Sequence, residues 1–113
     1  MGRPARQIAD RQIMKDVGMR FRWVREAMGA SQSEMAEKVG VHQTAWSLYE
    51  RGERLPDQFV MARIAGKLRI SVAYLMKGSL EGVLPALAIH LAARHPELAD
   101  TIGMDFRTDK HQA

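Results

Sequence analysis

The side chains that could carry out acid–base or metal chemistry are present in this chain, but their spacing suits neither task. Glu34 and Glu37 are neighbours on a predicted helix, where they are more naturally a helix cap and a solvated acid than a catalytic pair. His90 and His95 would diverge on a helix, and the chain contains no cysteine. We therefore expect no enzymatic activity, no metal site and no cofactor.

The stretch from Gln32 to Arg51 holds a denser set of hydrogen-bonding side chains, and its spacing predicts two short helices. Ser31 is suited to cap the first helix, and Glu34, three residues later, completes a capping box. Gly40 can adopt the positive φ that ends a helix sharply. The first of the two helices is therefore expected to end at Gly40.

The second helix follows at once. Trp46 and Tyr49 are spaced to face inward from it, and a core position is expected for Trp46 rather than stacking on a base. Ala36 in the first helix is small enough to let the two helices cross closely. Two short helices joined by a tight glycine turn describe a helix-turn-helix.

These residues together resemble the lambda-repressor/Cro-like (Xre) helix-turn-helix family of transcriptional regulators. The resemblance covers 19–78 and includes Gln32, Ala36, Gly40, apolar residues at 35, 39, 41, 46 and 49, and the closing Glu50-Arg51-Gly52. It implies an all-α fold: a five-helix, lambda-repressor-like DNA-binding domain with an extra apolar helix at the C-terminus. The sequence departs from the family pattern at Trp46, Leu48 and Arg69, the last standing where a left-handed glycine is frequent, which predicts strain there.

The resemblance also implies roles for individual side chains in binding double-stranded DNA. Gln43 is the best candidate for reading a base, because its amide can both donate to and accept from adenine. The full expected base-reading set is His42, Gln43, Thr44, Ser47 and Leu48. The expected phosphate-contacting set is Ser31, Gln32, Lys38, Arg51 and Arg54. Since the reading face is only weakly polar, part of any specificity is expected from DNA shape.

The family often pairs an arginine of the first helix with the glutamate that closes the recognition helix. Arg25 and Glu50 occupy those positions, which predicts an ion pair that fixes the recognition helix to the scaffold. The alternative is two solvated charges on separate helices.

Charge is distributed unevenly along the chain. The formal net charge of +4 divides into +4 for residues 1–30, +2 for 31–78 and −2 for 79–113. A basic front half suits a polyanionic partner at one end of the molecule. With no signal-peptide pattern, no membrane-length apolar run and no evident small-molecule site, we expect a cytoplasmic, nucleoid-associated protein.

The two ends of the chain fall outside the resemblance. Residues 1–18 are expected to form a basic arm or a helix extension; the GRP triplet resembles minor-groove arms, and the alternative is a disordered basic tail. Residues 79–113 are expected to form a helical tail, in which the stretch LPALAIHLAA (84–93) is apolar on nearly every side. A partner subunit is expected to cover this tail in a homodimer, through Leu84, Leu87, Ala88 and Leu91. The alternative packs it as a sixth helix within the monomer.

Together these features favour a bacterial or phage regulator that represses transcription as a homodimer on a roughly palindromic operator. The alternative is a protein-interaction module or an antitoxin-type partner that retains the helix-turn-helix fold. Leu48 and Trp46, on or near the reading helix, keep that alternative open.

Overall fold

The computed structural model describes residues 3–101, and the side chains of 7–98 within them. In this range the chain is entirely helical, which confirms the all-α class. Six α-helices precede one 3₁₀ helix: α1 (Arg3–Ala27), α2 (Gln32–Val39), α3 (Gln43–Glu50), α4 (Gln58–Leu68), α5 (Val72–Lys77), α6 (Pro85–Arg94) and the 3₁₀ helix (Pro96–Thr101). Gly2 of the GRP triplet and the final residues of the predicted tail lie outside the described part.

The first helix begins at Arg3 and runs without a break into the region of the family resemblance, ending at Ala27. Pro4 lies in the first turn, where its missing N–H has no intrahelical partner to lose. No glycine or proline follows until Gly18, and that glycine does not interrupt the helix. Residues 3–18 are therefore an extension of α1 rather than a separate arm.

Local capping sets the ends of the short helices, as the sequence predicted. The Ser31 hydroxyl accepts from the Glu34 backbone N–H at 3.0 Å, and the Glu34 carboxylate accepts from the Ser31 N–H at 2.8 Å. Gly40 ends α2 with φ 76°. Arg69 ends α4 in the same left-handed region, with φ 61°, and is the one non-glycine residue there in the described chain. The strain predicted at this position is therefore present.

The core forms where α1 crosses α3. Phe21 and Trp46 are fully buried, with ring centroids 5.1 Å apart and the rings 74° to each other. Tyr49 also stacks on Phe21, with ring centroids 5.7 Å apart. The core position expected for Trp46 is confirmed.

A second set of contacts joins α1 to α5. The Tyr74 hydroxyl, in a fully buried side chain, donates to the backbone oxygen of Arg20 at 3.0 Å. Burial raises the pKa of Tyr74 despite the opposing charge of Arg20, so the phenol stays a donor at neutral pH. The Arg20 guanidinium in turn donates to the Leu75 carbonyl near the C-terminus of α5.

The C-terminal helix α6 packs on α1 within the same chain. Ala88 is 8% exposed and Leu91 is fully buried, so both side chains are covered within the single chain, and their expected role in dimerisation stays a prediction. Besides α1, the 3₁₀ helix also contacts α6. Trp23 of α1 adds a stacked contact with His95, with centroids 3.7 Å apart. Leu84, 39% exposed, and the half-buried Leu87 remain partly accessible.

Candidate nucleic-acid interface

The turn between α2 and α3 sets the direction of α3. The backbone N–H of Val41 donates to the Ala36 carbonyl at 2.9 Å across Gly40, closing the end of α2. From α4, Arg63 donates to the last carbonyls of α2, those of Val39 and Gly40. The turn between the two helices is thus held by a backbone hydrogen bond and by a side chain from a third helix.

One face of α3 and the start of α2 border an open groove on the protein surface. Its lining residues are Gln32, Gln43, Thr44, Ser47 and Arg51. Four of them belong to α3 or to its C-cap, Arg51. These four are spaced by one or two helical turns, so they share the outward face of the helix. The groove therefore brings three expected base readers together with two expected phosphate ligands.

The other two expected base readers lie outside the groove lining. His42 is the exposed N-cap of α3, and its side chain makes no capping hydrogen bond. Leu48 is half-buried. Because position 48 follows Ser47 by one residue, it turns about 100° away from the groove face.

Glu50, at the end of α3, joins three elements through one carboxylate. Arg25 donates to both of its oxygens, from Nε at 2.6 Å and from Nη2 at 3.1 Å. Gln32 Nε2 donates to Oε1 at 3.1 Å, and the indole N–H of Trp46 donates to Oε2 at 2.5 Å. The side chains of Arg25 and Glu50 are 20% and 5% exposed. The carboxylate of the ion pair is thus buried, and the guanidinium is partly exposed.

The charge state of this cluster follows from its geometry. Burial alone disfavours the charged carboxylate, but the hydrogen bonds from Arg25, Gln32 and Trp46 outweigh it, and the pKa of Glu50 lies below its ordinary value. The hydrogen bond to Glu50 raises the pKa of Arg25 in return. Both groups are charged at neutral pH, so α3 is tied to α1 by a permanent ion pair.

Gln32 connects this buried cluster to the surface. Its side chain is half-buried, lines the groove, and uses its amide N–H on Glu50. An amide fixed by a buried carboxylate has few rotamers left, so Gln32 presents a defined surface at the N-terminus of α2. This contact was not anticipated from the sequence, because Gln32 and Glu50 belong to different helices.

The other expected phosphate ligands differ in availability. Ser31 is exposed, but its hydroxyl serves the capping box. Arg51 forms a 2.9 Å ion pair with Glu53, and both side chains are more than half exposed. Lys38 and Arg54 are exposed and have no ion-pair partner in the described part of the chain. Their charges are therefore free to meet an anion.

A close backbone contact beside the groove was missed by sequence reasoning. A Cβ at Gly18 would lie 2.5 Å from the Tyr49 carbonyl oxygen and 2.6 Å from that of Glu50. A Cβ at Gly52, whose φ is +70°, would lie 2.7 Å from the Cα of Lys15. The available signal was a glycine inside an otherwise helical pattern, which often marks a close approach of another backbone.

Among the described residues, no three histidine or acidic side chains are grouped as a metal ion would require. In that same range, no helix combines the length and apolar character needed to cross a membrane.

The fold and the groove define a helix-turn-helix protein whose second motif helix carries the exposed polar face. The helix-turn-helix family model matches residues 21–75 of the chain. The chain is 33% identical over 81 residues to YqaE of Bacillus subtilis (strain 168), an uncharacterized HTH-type transcriptional regulator, covering 64% of this chain and 70% of that protein. The chain therefore belongs to the lambda-repressor/Cro-like (Xre) helix-turn-helix family of DNA-binding transcriptional regulators, as its sequence predicted.

Two further relatives carry phage-related names. The cryptic phage CTXphi transcriptional repressor RstR of Vibrio cholerae is 38% identical over 48 residues, which are 42% of this chain and 43% of that protein. The SPbeta prophage-derived uncharacterized HTH-type transcriptional regulator YonR of Bacillus subtilis (strain 168) is 31% identical over 62 residues, 55% of this chain and 57% of that protein.

Proposed function

We propose that this protein is a repressor that binds a roughly palindromic operator in double-stranded DNA as a homodimer. Each subunit inserts α3 into the major groove, which is wide enough for one helix. Two-fold symmetry then requires half-sites about one helical turn, ~34 Å, apart. The site of action is the nucleoid in the cytoplasm.

The observation that carries this proposal is the contrast between the two faces of α3. Inward, Trp46 and Glu50 hold the helix rigidly to α1. Outward, Gln43 and Thr44 are exposed, and no hydrogen bond within residues 7–98 uses their side chains. A fixed helix with unused donors and acceptors is what reading of base edges requires, because a helix that is already held in place need not be ordered when DNA binds.

Each expected base reader has a specific partner in this proposal. Gln43 pairs with adenine through both atoms of its amide, and Thr44 contacts a base edge or a thymine methyl. Ser47 adds a single hydroxyl, His42 reaches DNA from the start of the helix, and Leu48 is restricted to apolar contact. Gln32, Ser31, Lys38, Arg51 and Arg54 hold the phosphates on either side.

Homodimerisation rests on the accessible part of α6. Leu84 is 39% exposed, and Ile89 is 69% exposed although it belongs to an apolar helix. A second copy of the chain would cover Ile89, the more exposed of the two. The repressor role is supported by the related repressor RstR, and by a simple mechanism in which an occupied operator excludes polymerase.

Selection from random duplex DNA tests the proposal directly. Purified protein retains duplexes at ~150 mM salt, where non-specific binding is weakened, and the retained pool is sequenced. The expected result is an inverted repeat with half-sites one turn apart. A single unrepeated half-site would keep DNA binding and overturn the symmetric dimer. Retention without any enriched sequence would overturn specific reading.

The double variant Gln43→Ala, Thr44→Ala separates DNA reading from the protein-interaction alternative. Both side chains are exposed, so the variant is expected to fold with an unchanged melting temperature. Affinity for the selected operator should fall to the level of random duplex, while the salt-dependent affinity for random duplex, as the internal control, stays the same. Trp46, being fully buried, offers no surface to a protein partner, which weakens the alternative.

A further inference from the structure

The extended α1 carries basic side chains that neither the fold nor the groove uses. Arg11 and Lys15 are exposed, lie one turn apart on the same face, and have no hydrogen-bond or ion-pair partner in the described part of the chain. The two acids nearby in sequence are Asp10 and Asp16, and Asp16 accepts a hydrogen bond from Gln12. Two cations on one face are thus left for an external partner.

The fold brings this face to the end of the groove. Gly52 directly follows the groove residue Arg51, and its hypothetical Cβ would lie 2.7 Å from the Lys15 Cα and 3.0 Å from the Lys15 nitrogen. Gly18 makes the matching approach to the last carbonyls of α3. The backbone of Lys15 therefore lies against Gly52, the residue after Arg51, although the two segments are far apart in sequence.

We propose that Lys15, with Arg11 one turn before it, binds the DNA phosphate backbone that flanks the major-groove site. This inference rests on the proposed function and adds a binding surface to it: the phosphate-contacting edge continues from Arg51 across Gly52 onto α1. DNA is the partner that fits this surface, because the surface is basic and continues from the groove. A DNA strand presents phosphates at regular intervals, so a strand held by Arg51 would place its next phosphate near α1.

The chemistry of these contacts determines what they do. A lysine ammonium is a compact point charge with rotatable donors, suited to a phosphate oxygen and not to a particular base. The α1 contacts should therefore strengthen binding to every sequence and lengthen the protected DNA, without changing the preferred bases. Each neutralised phosphate releases counterions, so each contact contributes about 0.9 to the slope of log K against log salt concentration.

A structural role predicts a different result. The carbonyls of Tyr49 and Glu50 near Gly18 belong to the negative end of the α3 dipole, which a nearby cation stabilises. If Lys15 served only that purpose, its loss would lower the melting temperature and leave the salt dependence of DNA binding unchanged.

The test uses the full chain and three single variants: Lys15→Gln, Arg11→Gln and the control Lys67→Gln. Lys67 is an exposed lysine in the last turn of α4, a helix that contributes no residue to the groove. Each protein is titrated with the selected operator at several salt concentrations. Lys15→Gln and Arg11→Gln should each lower the slope by about 0.9, and Lys67→Gln should leave it unchanged.

A shortened duplex makes the test more specific. Removing the base pairs outside the two half-sites should weaken binding of the unmodified protein. The affinity of a Lys15→Gln, Arg11→Gln double variant should stay nearly unchanged, because this variant no longer contacts the phosphates that were removed. Equal losses for both proteins, or slopes equal to that of Lys67→Gln, would overturn the α1 contact. Failure of the unmodified protein to select any operator would instead overturn the proposed function.

Discussion

Gly18 and Gly52 form the closest approach between α1 and the end of the recognition helix. A Cβ at position 18 would lie 2.9 Å from the Gly52 nitrogen, in addition to its clashes with two α3 carbonyls. Both positions need glycine for space, and Gly52 also needs it for its φ of +70°. This contact sets how near α1 lies to the groove between α2 and α3.

We expect Gly18→Ala to destabilise the protein, although alanine is the better helix former. Forcing a methyl group against backbone atoms costs about 1–3 kcal/mol. Gly66→Ala is the matched control: Gly66 lies in α4 with nothing within 4 Å of its hypothetical Cβ, so there the substitution should stabilise by about 0.5–1 kcal/mol. Urea unfolding of both variants measures whether each substitution raises or lowers the free energy of unfolding. A stabilising Gly18→Ala would refute the close contact.

The Glu50 cluster predicts a loss of stability in acid. Because the folded-state pKa of Glu50 is lowered, its contribution is fully present above the pKa of an unfolded glutamate, about 4.3, and disappears as the pH falls through the lower folded-state pKa. Glu50→Gln leaves Arg25 without its counter-charge and should cost about 3 kcal/mol at neutral pH. The variant should also lose less stability than the parent between neutral and acidic pH.

Urea midpoints measured across that pH range test the Glu50 prediction. Glu37→Gln is the control, since Glu37 is an exposed carboxylate on α2 that makes no ion pair in the described part of the chain. Parallel pH profiles for the parent and Glu50→Gln would mean that another group causes the acid sensitivity.

Replacing Arg69 should stabilise the protein. Its φ of 61° places a residue with a Cβ in the left-handed region, which costs about 1–2 kcal/mol relative to glycine. Arg69→Gly should therefore raise the free energy of unfolding by about 1 kcal/mol. Arg69→Ala removes the same charge while keeping the Cβ, so it should give no gain; a gain equal to that of glycine would assign the effect to charge instead of strain.

Arg54 is expected to hold a phosphate after the recognition helix. Arg54→Ala should weaken binding to all duplexes alike and lower the salt slope by about 1, because one counterion-releasing contact is lost. Titration against operator and random duplex measures both effects. An unchanged slope would remove Arg54 from the phosphate-contacting set.

The dimer proposal predicts that α6 tolerates no charge on its exposed face. Ile89→Asp should shift the protein toward monomer in sedimentation and reduce operator affinity, since a buried unpaired carboxylate opposes association. Phe59→Asp is a close control, because Phe59 is 77% exposed compared with 69% for Ile89, and lies on α4, which contributes no residue to the groove. A monomer–dimer balance unaffected by Ile89→Asp would place any interface elsewhere.

Features set by neighbouring residues were predictable from the sequence. The capping box of Ser31 and Glu34 and the glycine end of α2 depend on residues within one turn. The left-handed position of Arg69 was implied by the family resemblance. The polar face of α3 follows from helical periodicity alone, and so does the inward direction of Trp46. The family resemblance then placed Arg25 opposite Glu50, two residues on different helices.

Only the tertiary structure decided which surfaces meet. It began α1 at Arg3, and it packed α6 against α1 and the 3₁₀ helix, so that Ala88 and Leu91 are covered within the chain. It also joined Gln32 to Glu50 and Lys15 to Gly52. Periodicity shows which face of a helix is apolar, but the element that covers that face depends on packing among distant segments, and no local pattern encodes it.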